Sequence, residues 1–219
     1  VFHFAAQSRV ELSFSDPVPS LETNILGTVQ VLEAVRTTTP GCRVIFSSSS
    51  EVYGSPLKKG SDDILKTGSL HYLVEDERIY PSTSPYSISK ICGEYLMDCY
   101  ARSYGLDMVI VRSFNIEGAG RGDSFATSTI SRQAADLKKD TSKGYQIGNL
   151  AVFRDFTHVK DAIRAYKLIA EKGTSGEVYN LGSHKITSLA SFLLYATESA
   201  GFQVEEIENW EPSLVAINN

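Results

Sequence analysis

Short apolar runs alternate with longer stretches of helical periodicity along the first two thirds of the chain, and this alternation sets the expected class of fold. Val1-Phe2-His3-Phe4-Ala5-Ala6 reads as the interior of a strand, and an opening in mid-strand predicts a fold whose first part lies upstream. Asp16-Pro17 and Ser20 carry helix-start signals, after which Leu21, Ile25, Val29, Leu32 and Val35 recur at helical spacing to about Val35. A strand over Cys42 to Phe46 comes next. The polar stretch from about Ser55 to Ser82 predicts a loop longer than a median connection, of the kind that covers a site. A helix is expected from Pro85 to Tyr104, with Gly105 as its C-cap. Met108-Val109-Ile110-Val111 then marks a buried strand within 107–112, and a helix is expected over 124–138. Strand and helix in such alternation predict an α/β chain built on a doubly wound parallel sheet.

After Lys143 the character changes. Short strands are expected near Tyr145 to Ile147 and Val178 to Leu181, between helices over Val159 to Glu171 and Ser188 to Ala200, with Gly173, Gly176 and Gly201 as punctuation. The 219 residues carry 21 Lys+Arg against 26 Asp+Glu, and the net charge of -5 argues against a nucleic-acid-binding surface. No apolar run approaches the roughly 18 residues of a membrane span, and no secretory leader is visible, so a cytoplasmic protein without membrane partners is the expectation. Cys42, Cys92 and Cys99 show no CxxC or Cys/His spacing. They suggest neither disulfides nor a zinc site, and are read as core or near-core thiols.

Candidate chemistry concentrates in two clusters. Ser47-Ser48-Ser49-Ser50-Glu51-Val52-Tyr53-Gly54 follows the apolar Arg43-Val44-Ile45-Phe46, which places its polar side chains at a strand's carboxyl end, the edge where open parallel sheets bind ligands. Ser84-Pro85-Tyr86-Ser87-Ile88-Ser89-Lys90 opens a helix and sets Tyr86 and Lys90 one turn apart on the same face. A phenol titrates near 10, and a neighbouring ammonium lowers that value, so Lys90 is expected to help Tyr86 accept a proton. Ser49 would hold the substrate hydroxyl that Tyr86 deprotonates as hydride leaves the same carbon. His158 in Thr157-His158-Val159-Lys160-Asp161 reads as a hydrogen-bonded structural residue rather than a base, and His71 and His184 are isolated in polar segments.

His3-Phe4-Ala5-Ala6-Gln7-Ser8, Asn24-Ile25-Leu26-Gly27-Thr28, Ser47 through Gly54, Tyr86 with Lys90, and Arg112-Ser113-Phe114-Asn115 fall in one order that resembles the extended short-chain dehydrogenase/reductases, in their NAD-dependent epimerase/dehydratase group. The likeness covers residues 1 to about 190. It implies a Rossmann-like sheet lacking its first strands, with 1–116 as the remainder of a dinucleotide-binding domain. Residues 117–219 would be a smaller C-terminal substrate-binding α/β region interleaved with returning Rossmann elements. The same likeness implies Ser49, Tyr86 and Lys90 as catalytic, Ala5, Ala6, Tyr86 and Lys90 beside an NADP or NAD cofactor, and Ser8 and Asn115 at the substrate. Asn24 would shape the central helix, and a homodimer or homotetramer is implied. The family's glycine-rich dinucleotide loop has no counterpart here, since Gly118-Ala119-Gly120-Arg121-Gly122 follows a later strand and lacks the GxGxxG spacing.

Within the group, Glu51 and the segments Gly120 to Thr127 and Gly148-Asn149-Leu150 look like the GDP-sugar 4,6-dehydratases, the GDP-mannose enzymes in particular. That likeness makes Glu51 a second catalytic group, the base for the C5 proton, and Arg154 a ligand of the substrate's diphosphate. Plainer readings stand beside these: Glu51 as a solvated strand-end carboxylate, and Arg154 in an ion pair with Asp155 or Asp161. Ser131-Arg132-Gln133, Phe156-Thr157 and Val178 to Ser183 resemble instead the GDP-4-keto-6-deoxymannose reductases, which would use Ser49, Tyr86 and Lys90 without Glu51. Another nucleotide-sugar epimerase or reductase of the group, and a catalytically silent binding subunit, are the remaining alternatives.

Overall fold

The computed structural model describes residues 1–54, 65–67, 70–76, 79, 84–141 and 143–202. Its elements run β1 (Phe2–His3), α1 (Val10–Ser15), α2 (Pro17–Leu21), a π-helical turn (Glu22–Leu26), α3 (Gly27–Thr38), β2 (Val44–Ser49), a 3-10 turn (Ser50–Tyr53), β3 (Leu65–Thr67), β4 (Leu70–Tyr72) and α4 (Pro85–Tyr104). They continue as β5 (Met108–Ser113), β6 (Asn115–Glu117), α5 (Ala126–Leu137), β7 (Phe153–His158), α6 (Val159–Lys172), β8 (Val178–Leu181), β9 (Ile186–Ser188) and α7 (Leu189–Ser199). Two compact units result, one of residues 1–114 with 161–181, the other of 115–160 with 182–219.

The first unit is built on a sheet in the order β1-β2-β5-β8, all of it parallel. Strand alternation assigns its two faces. Val44, Phe46, Met108 and Ile110 bury against Leu32 and Val35 of α3 and Met97 of α4. The intervening positions belong to the opposite face, where Ser47 and Ser113 both hydrogen-bond the Tyr166 hydroxyl of α6 at 2.8 Å. Helices on both faces make this the Rossmann-like α/β sheet that the pattern predicts. At the other end of the strands, Arg43 pairs with Asp107 at 2.8 Å and donates to the Ala170 and Gly173 carbonyls, pinning the end of α6.

Helix α4 has sharp ends because its sequence supplies both caps. Ser84 accepts from the Ser87 amide, Pro85 occupies the first turn, and Gly105 adopts φ +68°. Gly93 lets α4 lie against β2, since a Cβ there would stand 2.3 Å from Cζ of Phe46. The helix expected up to Val35 is real but interrupted by the π turn, whose Asn24 accepts from the Gln7 amide at 2.7 Å and donates to the Gln7 carbonyl and the Ser89 hydroxyl. Within the expected long loop, β3 and β4 pair as an antiparallel hairpin. The rest of 55–83 lies mostly outside the described residues.

The second unit carries a three-stranded sheet in which β6 and β7 are parallel and β7 and β9 antiparallel. The strand expected at Tyr145 to Ile147 is absent. Those residues form an irregular segment whose Tyr145 and Ile147 bury against Ile130 and Ala134 of α5 and Leu193 of α7, which gives a period of two without a ladder. Cys99 is also corrected: it is exposed, while Cys42 and Cys92 are half-buried. Among the described residues, no helix is long and apolar enough to cross a membrane.

Candidate active site

Ser49 is the last residue of β2, three positions beyond the strand end expected from the apolar run, because the serines pair in register with Val111, Arg112 and Ser113 of β5. Its extended backbone lets its hydroxyl cap the 3-10 turn, accepting from the Glu51 amide at 3.2 Å. The turn presents the Glu51 side chain to solvent. Tyr86, in the first turn of α4, is 8% exposed and its phenol hydrogen-bonds Ser49. Lys90, one turn on, is buried, donates to the Ser47 carbonyl at 2.7 Å and lies over the Phe46 and Tyr86 rings. Ser49, Glu51, Tyr86 and Lys90 therefore meet at one strand end.

The electrostatics differ from the sequence expectation. Burial raises the Tyr86 phenol above 10; the Ser49 hydrogen bond opposes this, and the charges of Glu51 and Tyr166 reinforce it. Burial lowers the Lys90 ammonium from 10.5 to about 8. The lowering expected from Lys90 does not set the Tyr86 phenol, for which burial is the largest influence, and the ammonium itself donates to the Ser47 carbonyl and lies 6.0 Å from the Tyr86 ring centre. His3 is buried beside Thr28 at 3.0 Å, and burial with the Lys90 charge keeps its pKa below 6.5.

The other sequence candidates lie on other elements. Ala5 and Ser8 are exposed and Ala6 half-buried in the segment after β1. Asn115 opens β6 opposite Phe156, and Arg154 lies exposed on β7, both in the second unit. Arg154 donates to the Phe153 carbonyl. The ion pair considered for it does not form: Asp155 accepts from the Ser183 amide and hydroxyl and from the His184 amide, and Asp161 pairs with Arg164. His158 accepts from the Lys160 amide at the start of α6, a structural role.

Two groups escaped the sequence reading. Tyr166 reaches the site's serines from a helix far along the chain, and no local pattern marks it. The Glu94–Arg112 pair had a signal: Arg112 continues an apolar strand, and a charge so placed needs a buried partner.

A model of the family described as GDP-mannose 4,6 dehydratase matches residues 1–216. The GDP-6-deoxy-D-mannose reductase of Pseudomonas aeruginosa is 28% identical over 95% of this chain and 66% of the relative. The GDP-mannose 4,6-dehydratase of Sinorhizobium fredii is 29% identical over 94% and 55% respectively. Among solved structures, RMD from Pseudomonas aeruginosa complexed with NADPH has a TM-score of 0.81 at 28% identity, covering 93% of this chain and 66% of its own. DesIV, a dTDP-glucose 4,6-dehydratase from Streptomyces venezuelae with NAD and TYD bound, has a TM-score of 0.76 at 27% identity, covering 93% and 58%. The chain thus spans between about half and two thirds of the length of these relatives.

Proposed function

The chain belongs to the GDP-mannose 4,6 dehydratase family, and from that premise we propose that the full-length protein converts GDP-mannose to GDP-4-keto-6-deoxymannose. The observation that carries the reading is the meeting of Ser49, Glu51, Tyr86 and Lys90 at the carboxyl end of β2. The donor set fits a nicotinamide dinucleotide, NADP or NAD. A phenol and an ammonium stand at the edge of a parallel sheet where dinucleotides bind, and the segment of Ala5 and Ala6 follows the adjoining strand. Tyr86 and Lys90 would hold its nicotinamide ribose. Once bound, it supplies the hydride acceptor for C4 and the hydride donor for C6.

Ser49 holds the C4 hydroxyl and Tyr86 takes its proton, with Lys90 the nearby cation for the phenolate. The ketone formed at C4 acidifies the C5 proton, which Glu51 removes as the C6 hydroxyl departs. Two protons are released, from the C4 hydroxyl and from C5; one leaves with the C6 hydroxyl as water and one returns to C5. Arg154 is assigned to the diphosphate, which a guanidinium pairs with bidentately, and Asn115 and Ser8 are assigned to the substrate.

The Pseudomonas reductase and Ser131-Arg132-Gln133 favour a second reading, delivery of hydride to a C4 ketone with Glu51 idle. Mass spectrometry of the full-length protein incubated with GDP-mannose separates the two. A product lighter by one water supports the dehydratase. No mass loss, together with NADPH consumption on a 4-keto sugar nucleotide, moves the assignment to the reductase.

A further inference from the structure

Arg112 and Glu94 form an ion pair at 2.8 Å with side-chain exposures of 5% and 6%. Such a pair is often no more stabilising than well-packed apolar residues, so its connections matter more than its Coulomb energy. The guanidinium uses every edge. Nε donates to both Glu94 oxygens at 3.0 and 3.3 Å, Nη2 to Glu94 at 2.8 Å, and Nη1 to the Tyr53 hydroxyl at 3.1 Å and the Glu75 carbonyl at 3.0 Å. Glu94 also accepts from the Ser48 hydroxyl. The Tyr53 hydroxyl donates to Asn180 Oδ1 at 2.7 Å, and Asn180 donates in turn to the Glu75 carboxylate and the Leu73 carbonyl.

The two grips fall on either side of the proposed catalytic residues. Ser48 directly precedes Ser49, and Tyr53 closes the turn that carries Glu51. We propose that the buried Glu94–Arg112 pair is a positioning device that holds Ser48 from one side and Tyr53 from the other. It thereby fixes the Ser49 hydroxyl against Tyr86 and sets the direction of Glu51. The same guanidinium ties the Glu75 carbonyl, just after β4, to the sheet, and Asn180 of β8 holds the Leu73 carbonyl and the Glu75 carboxylate beside it. Ser48, Tyr53, Glu94 and Arg112 act through Ser49 and Glu51, so this inference rests on the catalytic reading above.

Tyr53→Phe and Ser48→Ala each remove one hydroxyl and preserve the surrounding volume. In the full-length protein, both should accelerate amide hydrogen exchange within Ser50 to Gly54 by about tenfold or more while the β5 amides keep their protection. The kcat for GDP-mannose should fall by about 10- to 100-fold, as for a small misplacement of reacting groups, with KM within about twofold. A merely structural role would move all amides of the sheet together. Unchanged exchange in the turn overturns the proposal, as does faster exchange with kcat unaltered. Ser49→Ala is the control. Full turnover in that variant refutes the catalytic reading instead, and the exchange result then decides alone whether the network holds the turn.

Discussion

Replacing Lys90 by Met should make the protein more stable near neutral pH while abolishing the proposed chemistry. Lys90 is 5% exposed, and burial lowers its ammonium from 10.5 to about 8. At about 1.4 kcal/mol per pH unit, that displacement means the folded chain carries the charged form at a cost of about 3 kcal/mol. Met has a similar length and no charge, but it forfeits the hydrogen bond to the Ser47 carbonyl, worth about 1 kcal/mol. A net gain of about 2 kcal/mol follows. Its pH dependence is as diagnostic as its size. Between about 8 and 10.5 the unfolded chain holds the proton that the folded chain has released, so the stability of the Lys90 protein rises with pH across that window. The advantage of Met is therefore complete below about pH 8, shrinks through the window, and becomes a small deficit above it. Urea unfolding followed by circular dichroism at about pH 7 and again near the top of the window measures both quantities. A Met variant less stable at pH 7, or a difference that stays constant with pH, would refute the reasoning. The confirmed result would identify Lys90 as a charge retained for function at the expense of stability.

Other substitutions test the scaffold. Gly93→Ala drives a Cβ to 2.3 Å from a Phe46 ring that is itself 2% exposed, so it should cost about 1–3 kcal/mol in denaturant unfolding, and Phe46→Leu in the same chain should recover part of the loss. Asn24→Ala removes the partners of the Gln7 amide and carbonyl and of Ser89; thermal unfolding should report a loss of about 2–3 kcal/mol, and a neutral result would deny Asn24 its role as the tie between the β1 exit and α4. Asp155→Ala should accelerate amide exchange at Ser183 and His184, the latter at φ +59°, without changing protection in β2 and β5.

What the sequence made legible was what local chemistry decides. The α4 boundaries follow from Ser84-Pro85 and Gly105 because caps act within a turn, and β8 was found because Val178-Tyr179-Asn180-Leu181 is a short run with strand-forming Val and Tyr between Gly176 and Gly182. The end of β2 was placed three residues early because the serines of its last half look like a loop until their ladder partners in β5 are known. Strands β6 and β9, three residues each, are too short to hold a pattern, and the largely exposed β7 does not alternate. Tyr145 and Ile147 erred the other way, since alternating burial needs only a core to face. For the site, spacing brought Tyr86 and Lys90 to one helix face, but the direction of the Lys90 ammonium depends on the distant Ser47 carbonyl. Nor could the Tyr86 environment be read locally, because burial dominates it and Tyr166 contributes from α6.

The dehydratase reading turns on Glu51, and turnover of GDP-mannose by the full-length protein in deuterated water tests it most directly. Wild-type protein should place solvent deuterium at C5 of the keto sugar, whereas Glu51→Gln should bind GDP-mannose with wild-type affinity and yield neither C5 deuterium nor water loss. Unchanged turnover and deuterium incorporation in Glu51→Gln would contradict the account and leave the exposed carboxylate without a catalytic role.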